Sequence, residues 1–169
     1  MSGLTALVIG ATGATGTELV QQLMDDSRYT SVVVFSRRPL LVTGASLTTH
    51  IVDFDNPQAW AHLVKGDVLF SALATTLKQA GSQKEQYKID YTYQYQTAAI
   101  AAANGVAKYV LVSAMGANAK SWLFYPRIKG ELDNAASALP FKQIHIFRPG
   151  FLLRQPDKIR PMEKLGITF

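Results

Sequence analysis

The sequence predicts an α/β fold, a doubly wound parallel β-sheet with helices on both faces, on three observations. Short β-branched runs alternate with stretches whose apolar residues recur at helical spacing. The connections between them are brief, as parallel strands joined by covering helices require. A glycine-rich turn separates the first run from the first helical stretch.

The first strand is expected over residues 4–9, and a helix follows from about Thr15, with Leu19, Val20, Leu23 and Met24 on one face. Further strands are expected over 31–35 and 47–52, the second with the polar alternation that suits a sheet edge. Asn56-Pro57 reads as an N-cap and first helical residue of a short helix that stops near Gly66. A fourth strand over 67–73 precedes Ser82-Gln83-Lys84-Glu85, a capping box that opens a long helix ending at Asn104-Gly105. A fifth strand over 109–113, a helix over about 126–138 and a sixth strand over 143–147 complete the pattern.

The 169 residues contain no repeat or linker, so 1–169 reads as one dinucleotide-sized domain with a short tail, 151–169, in place of a full substrate-binding region. Hydrophobic residues make up 48% and charged residues 17%, which supports a substantial core and excludes disorder. The absence of cysteine excludes disulfides, thiol nucleophiles and thiolate metal sites. His50, His62 and His145 lack zinc-ligand spacing, and no Gly-x-Ser-x-Gly elbow marks a serine hydrolase. No apolar run approaches the ~20 residues of a membrane span, and Met1 to Thr5 carry no basic cluster, so a cytoplasmic protein without membrane contact is expected. The net charge of +5 is unevenly placed, its basic surplus lying beyond residue 60. Without a basic run it reads as a solvated surface at least as well as an anion-binding one, and no nucleic-acid partner is expected.

Gly10-Ala11-Thr12-Gly13-Ala14-Thr15-Gly16 occupies a turn that must bend sharply, admit a pyrophosphate against bare backbone and let a helix pack on a strand. The helix N-terminus behind it offers free N–H donors and a positive dipole end to phosphate oxygens. NAD-binding folds usually place an acid about 20 residues further on, to hold the ribose 2'-hydroxyl. Here the stretch reads Phe35-Ser36-Arg37-Arg38-Pro39, where two guanidinium groups and a hydroxyl suit a 2'-phosphate. NADP (as NADPH) is therefore expected over NAD. Asp53 is a candidate for the adenine amino group, with loop capping through its own backbone as the alternative. The small residues Ala72-Leu73-Ala74 would let the dinucleotide pass close to the end of the fourth strand.

Ser113 ends the fifth strand, and Tyr125 and Lys129 lie four apart on the next helix, hence on one face. Carbonyl reduction needs a proton donor beside the hydride acceptor, and a phenol of ordinary pKa near 10 gives its proton reluctantly. An ammonium at about 4 Å, with an effective dielectric near 20, favours the phenolate by roughly 4 kcal/mol, or about three pKa units. Tyr125, Lys129 and Ser113 are thus the catalytic candidates, at the carboxyl end of the sheet where such folds place their crevice. Tyr87, Tyr91 and Tyr95, spaced by four, read as core packing or a self-association stripe.

These pieces, with Arg148-Pro149-Gly150, resemble the atypical short-chain dehydrogenases/reductases, close to the NAD(P)H-binding and Tat-interacting-oxidoreductase-like group. The resemblance covers nearly the whole chain and implies a Rossmann-like fold. It also implies that Lys129 holds the nicotinamide ribose, Ser113 orients the substrate oxygen, and Arg148-Pro149-Gly150 lines the nicotinamide end. The Asn-Ala-Gly segment of conventional members is replaced by Ala72-Leu73-Ala74, so their asparagine relay has no counterpart there. The short tail implies a substrate site that is open or closed by a partner, either a second copy of the chain or another protein. The expected function is NADP-dependent hydride transfer with a small carbonyl-type substrate. The alternative is a catalytically silent NADP(H)-binding redox sensor or interaction scaffold.

Overall fold

The computed structural model describes residues 3–150; the expected tail, 151–169, lies outside them. Six parallel strands form one sheet: β1 (Leu4–Ile9), β2 (Tyr29–Ser36), β3 (Leu47–Ile51), β4 (Val68–Ser71), β5 (Lys108–Val112) and β6 (Gln143–Phe147), in the order β3-β2-β1-β4-β5-β6. The order reverses at β1, so the crossover from β3 to β4 opens a crevice outside the carboxyl ends of β1 and β4. The polar alternation of residues 47–52 does mark an edge strand.

Successive side chains of β1 serve opposite faces. Ala6 and Val8 pack with Val32 and Val34 against Val20 and Leu23 of helix α1 (Ala14–Asp25). Leu7 and Ile9 join Phe35, Leu69, Tyr109 and Leu111 in the other core, covered by Ala98 and Ala101 of α4 (Tyr93–Ala103) and by Leu132 and Ala136 of α5 (Phe124–Ser137). With helices on both faces, the doubly wound Rossmann-like architecture expected from the alternation is the one observed.

Three elements differ from the expected ones. Residues 56–66 form two 3₁₀ turns, Pro57–Ala59 and Ala61–Leu63, and Asn56 makes no side-chain cap. Asn104 Nδ2 takes the carbonyls of Ala61 and Val64, both at 2.8 Å, and so captures acceptors that a continued helix would use itself. A short helix α2 (Leu77–Ala80), capped by Thr76, follows β4. The long helix begins as expected, with Ser82 Oγ accepting from Glu85 N–H at 3.1 Å in α3 (Gln83–Tyr87). It then widens into a π-helical turn, Lys88–Thr92, in which Tyr93 N–H reaches back five residues to the Lys88 carbonyl before α4 resumes. Tyr87, Tyr91 and Tyr95 stack along this helix at 4.9 and 6.0 Å, the last two packed against the core.

Candidate functional site

The three glycines of the first turn answer to different demands. Gly10 sits at φ +83°, where side chains are strained, and a Cβ there would strike the backbone of Ala72 and Leu73 at the end of β4. A Cβ on Gly16 would strike the Gly10 carbonyl, so this glycine lets α1 lie close to the turn. Gly13 differs from both: a Cβ there would meet only the Gly10 carbonyl oxygen, at 3.4 Å. Packing within the chain tolerates a side chain at Gly13, and the space it would fill belongs to the cleft.

That cleft has a volume of about 600 Å³. Gly10, Thr12 and Gly13 line it from the turn, Phe35, Ser36, Arg37 and Arg38 from the end of β2, Ala72 to Thr75 from the end of β4, and Phe54, Gln79, Ala80, Glu85 and Ile89 from neighbouring segments. Gly13 is the N-cap of α1 and no side chain caps that terminus, whose first turn also holds no acid. Ala14, Thr15 and Gly16 form that first turn, so their N–H groups are the orphan donors of the helix start. A bare glycine facing a cleft at an uncapped helix N-terminus fits a diphosphate. Ser36 Oγ accepts from Arg38 N–H at 3.4 Å, while Arg37 and Arg38 are exposed and ion-paired to no carboxylate among the described residues.

Asp53 is not brought to this cleft. Its Oδ1 accepts from Asp55 N–H at 2.9 Å, which is the loop-capping alternative, and it lines a separate cavity of about 390 Å³ beside β3 and Trp60. Phe54, the next residue, lines the cleft in its place.

Ser113, just beyond β5, is buried, and its Oγ has no hydrogen-bond partner among the described residues. Lys129 on α5 is 1% exposed, and its Nζ donates to the carbonyl of Val112, the residue before Ser113, at 3.3 Å. Tyr125, one turn earlier on α5, is 40% exposed. The loop between β5 and α5 lies tight on the helix: Asn118 N–H donates to the Pro126 carbonyl at 2.9 Å, and a Cβ on Gly130 would collide with Asn118 and Ala119. Ser113 N–H donates to the Phe147 carbonyl at 2.7 Å and Met115 N–H to the Pro149 carbonyl at 3.0 Å, so the 148–150 segment borders Ser113. Arg148 itself is engaged, its Nε donating to Oδ2 of the buried Asp133 at 2.9 Å.

Residues that the sequence reading passed over tie the two halves of the site together. The buried stripe of the long helix carries Gln86, Asp90, Gln94 and Thr97. Gln94 Oε1 accepts from Ser71 Oγ at 2.7 Å, Asp90 Oδ2 accepts from Thr75 N–H at 3.0 Å, and Gln86 Nε2 donates to the Thr75 carbonyl at 3.4 Å. The strand end lining the cleft is thus held by polar side chains from the helix. Burial above all pushes the Asp90 carboxyl up to about 6, against the opposing pull of Lys129 and the Thr75 N–H. Burial likewise lowers the Lys129 ammonium from its usual value, while Asp90 and then Asp133 act to raise it.

A switch-point crevice and a glycine turn at an uncapped helix N-terminus define a Rossmann-like domain with the features of a dinucleotide site. Residues 10–139 match the family model described as NAD(P)H-binding, and the chain belongs to that family. Its relatives include "Protein FMP52, mitochondrial" of Debaryomyces hansenii, 36% identical over 160 residues that make up 92% of this chain and 70% of the relative. The protein of the same name from Saccharomyces cerevisiae is 38% identical over 154 residues, 89% of this chain and 66% of the relative. Among solved structures, a short chain dehydrogenase from Burkholderia cenocepacia in complex with NADP superposes with a TM-score of 0.72 at 16% identity, covering 95% of this chain and 78% of that one. MoeE5 in complex with UDP-glucose and NAD gives 0.71 at 20% identity, covering 85% and 53%. These likenesses show the fold.

The expectation of a cytoplasmic protein is overturned by the relatives, whose names place them in the mitochondrion. An absence of cysteine bears on oxidation, and it does not separate the cytoplasm from the mitochondrion.

Proposed function

We propose that this chain is the cofactor-binding and catalytic part of a mitochondrial NADP(H)-dependent reductase of small carbonyl-type substrates. The observation that carries the reading is the Lys129 ammonium at the carboxyl end of β5: it is buried and bonded to the carbonyl preceding Ser113, a buried serine whose hydroxyl is unpartnered among the described residues. The mitochondrial setting is that of the relatives' names.

The first-turn amides of α1 would hold the diphosphate, and Arg37, Arg38 and Ser36 the 2'-phosphate. Two unpaired guanidinium groups against one carboxylate, Glu85, line the cleft, which supports NADP over NAD. The nicotinamide, when bound, supplies the hydride that a carbonyl carbon accepts. Ser113 Oγ–H donates to the substrate oxygen and orients it, Tyr125 Oη–H delivers the proton to that oxygen, and the Lys129 charge favours the phenolate left behind. Arg148, bonded to Asp133, shapes the rim with Pro149 and Gly150.

The test is a turnover screen of aldehydes and ketones with NADPH, repeated on Tyr125→Phe. Reduction by the wild type and its loss in the variant are expected. Unchanged reduction in the variant would remove Tyr125 as proton donor, and binding of NADPH without any turnover would favour the sensor reading.

A further inference from the structure

We propose that Asp90 is a positioning residue of this site, the buried counter-ion that keeps the Lys129 side chain charged and aimed at the end of β5. The inference rests on the role given above to Lys129, but its test needs neither cofactor nor substrate.

Asp90 sits on the π-helical turn and is fully buried. One carboxylate oxygen takes the Thr75 N–H, and the other, Oδ1, has no hydrogen-bond partner among the described residues. Lys129 is as deeply buried, with three ammonium protons and a hydrogen bond to the Val112 carbonyl. The π-helical turn packs directly on α5, so two buried side chains of opposite charge share one interface without a direct ion pair, and each favours the charged form of the other.

Among the described residues, two carboxylates act on Lys129. Asp90 comes from the π-helical turn; Asp133, one turn further along α5, already bonds Arg148 from the end of β6. Among the described residues, Lys129 is the cation that acts on Asp90. A buried amine without a counter-charge gives up its proton, and a neutral lysine offers nothing to a phenolate. Asp133 Oδ1 is likewise unpartnered among the described residues, but the Asp133 charge is met by Arg148, which leaves Asp90 to hold that proton in place. It does so from the helix whose Thr75 contact also fixes the cleft wall, so one side chain couples the cofactor cleft to the proposed proton donor's neighbour.

The test is nuclear magnetic resonance titration of the whole chain without ligand, carrying labelled lysine, with the Lys129 signal identified by its loss in Lys129→Met. In Asp90→Asn the Lys129 midpoint should fall by about one pH unit or more. An unchanged midpoint in a folded Asp90→Asn protein would overturn the proposal, since a merely structural aspartate would not move it. Should Asp90→Asn fail to fold, the reciprocal experiment decides. With labelled aspartate, the Asp90 carboxyl midpoint should rise in Lys129→Met by about the same amount, and no rise would be equally fatal. A wild type that shows this coupling but no turnover would sink the reductase reading alone.

Discussion

Lys129 reaches from α5 to the carbonyl of Val112 at 3.3 Å, one residue before Ser113. This bond fixes α5 against the strand that leads into the serine, while Tyr125 stands at the exposed start of the same helix. The two helical residues should therefore fail differently. Tyr125→Phe is expected to lower kcat by about 10²-fold or more with little change in NADPH affinity. Lys129→Met is expected to lower both, because the lysine also holds the ribose in the proposed site. Steady-state kinetics with fluorescence titration of NADPH separates the two, and equal effects of both variants on affinity would contradict the assigned roles.

The glycines of the first turn give a contrast between folding and binding. Gly13→Val should leave the melting temperature within a few degrees of wild type and weaken NADPH binding at least about tenfold, since its side chain enters the cleft. Gly10→Ala should instead destabilise the fold by about 2–4 kcal/mol, through its positive φ and its clash with Ala72. Thermal melts with and without NADPH check both. A stable Gly10→Ala protein or a tight-binding Gly13→Val protein would count against this division.

In the proposed site Arg37 and Arg38 discriminate by charge, so their removal should matter only where a 2'-phosphate is present. If each contributes one charge-assisted bond of about 1.5–3 kcal/mol, Arg37→Ala/Arg38→Ala should lose NADPH affinity by roughly a hundredfold or more and keep its NADH affinity. Calorimetric titration of both nucleotides reads this directly, and equal wild-type affinities for the two would remove the phosphate clamp.

The Asp90 carboxyl, pushed up to about 6 mainly by burial, makes stability depend on pH with a definite sign. The folded chain binds this proton more tightly than the unfolded chain. The contribution is therefore complete below the unfolded value near 4 and is lost as pH rises through about 6. Asparagine cannot titrate, so the stability of Asp90→Asn relative to wild type should climb between pH 4 and 7, by an amount on the order of 2 kcal/mol. Urea unfolding of both proteins across that range measures the difference, and a flat difference curve would contradict a buried, titrating Asp90.

The strands were legible because their β-branched runs must be buried on two faces, and all six occur where the periodicity places them to within a few residues. The glycine turn was legible because its three demands are local. The π-helical turn was not, because no local signal marks its one extra residue, and Asp90, Gln94 and Thr97 were passed over with it. The signal was present, since Gln86, Asp90, Gln94 and Thr97 share the spacing of a buried face and are all polar, which calls for partners on whatever they cover. For Gln86, Asp90 and Gln94 those partners lie at Ser71 and Thr75, distant in sequence, while Thr97 Oγ1 donates to the Tyr93 carbonyl of its own helix. The same holds for residues 56–66, where a distant asparagine side chain takes the carbonyls and leaves 3₁₀ turns in place of a helix.

The most direct measurement is a crystal structure of the chain soaked with NADPH. The diphosphate should rest on the amides of Ala14 to Gly16 beside Gly13, with the 2'-phosphate between Arg37 and Arg38 and the nicotinamide within reach of Tyr125 and Lys129. A cleft that stays empty at saturating nucleotide, or a nicotinamide pointing away from α5, would contradict the site described.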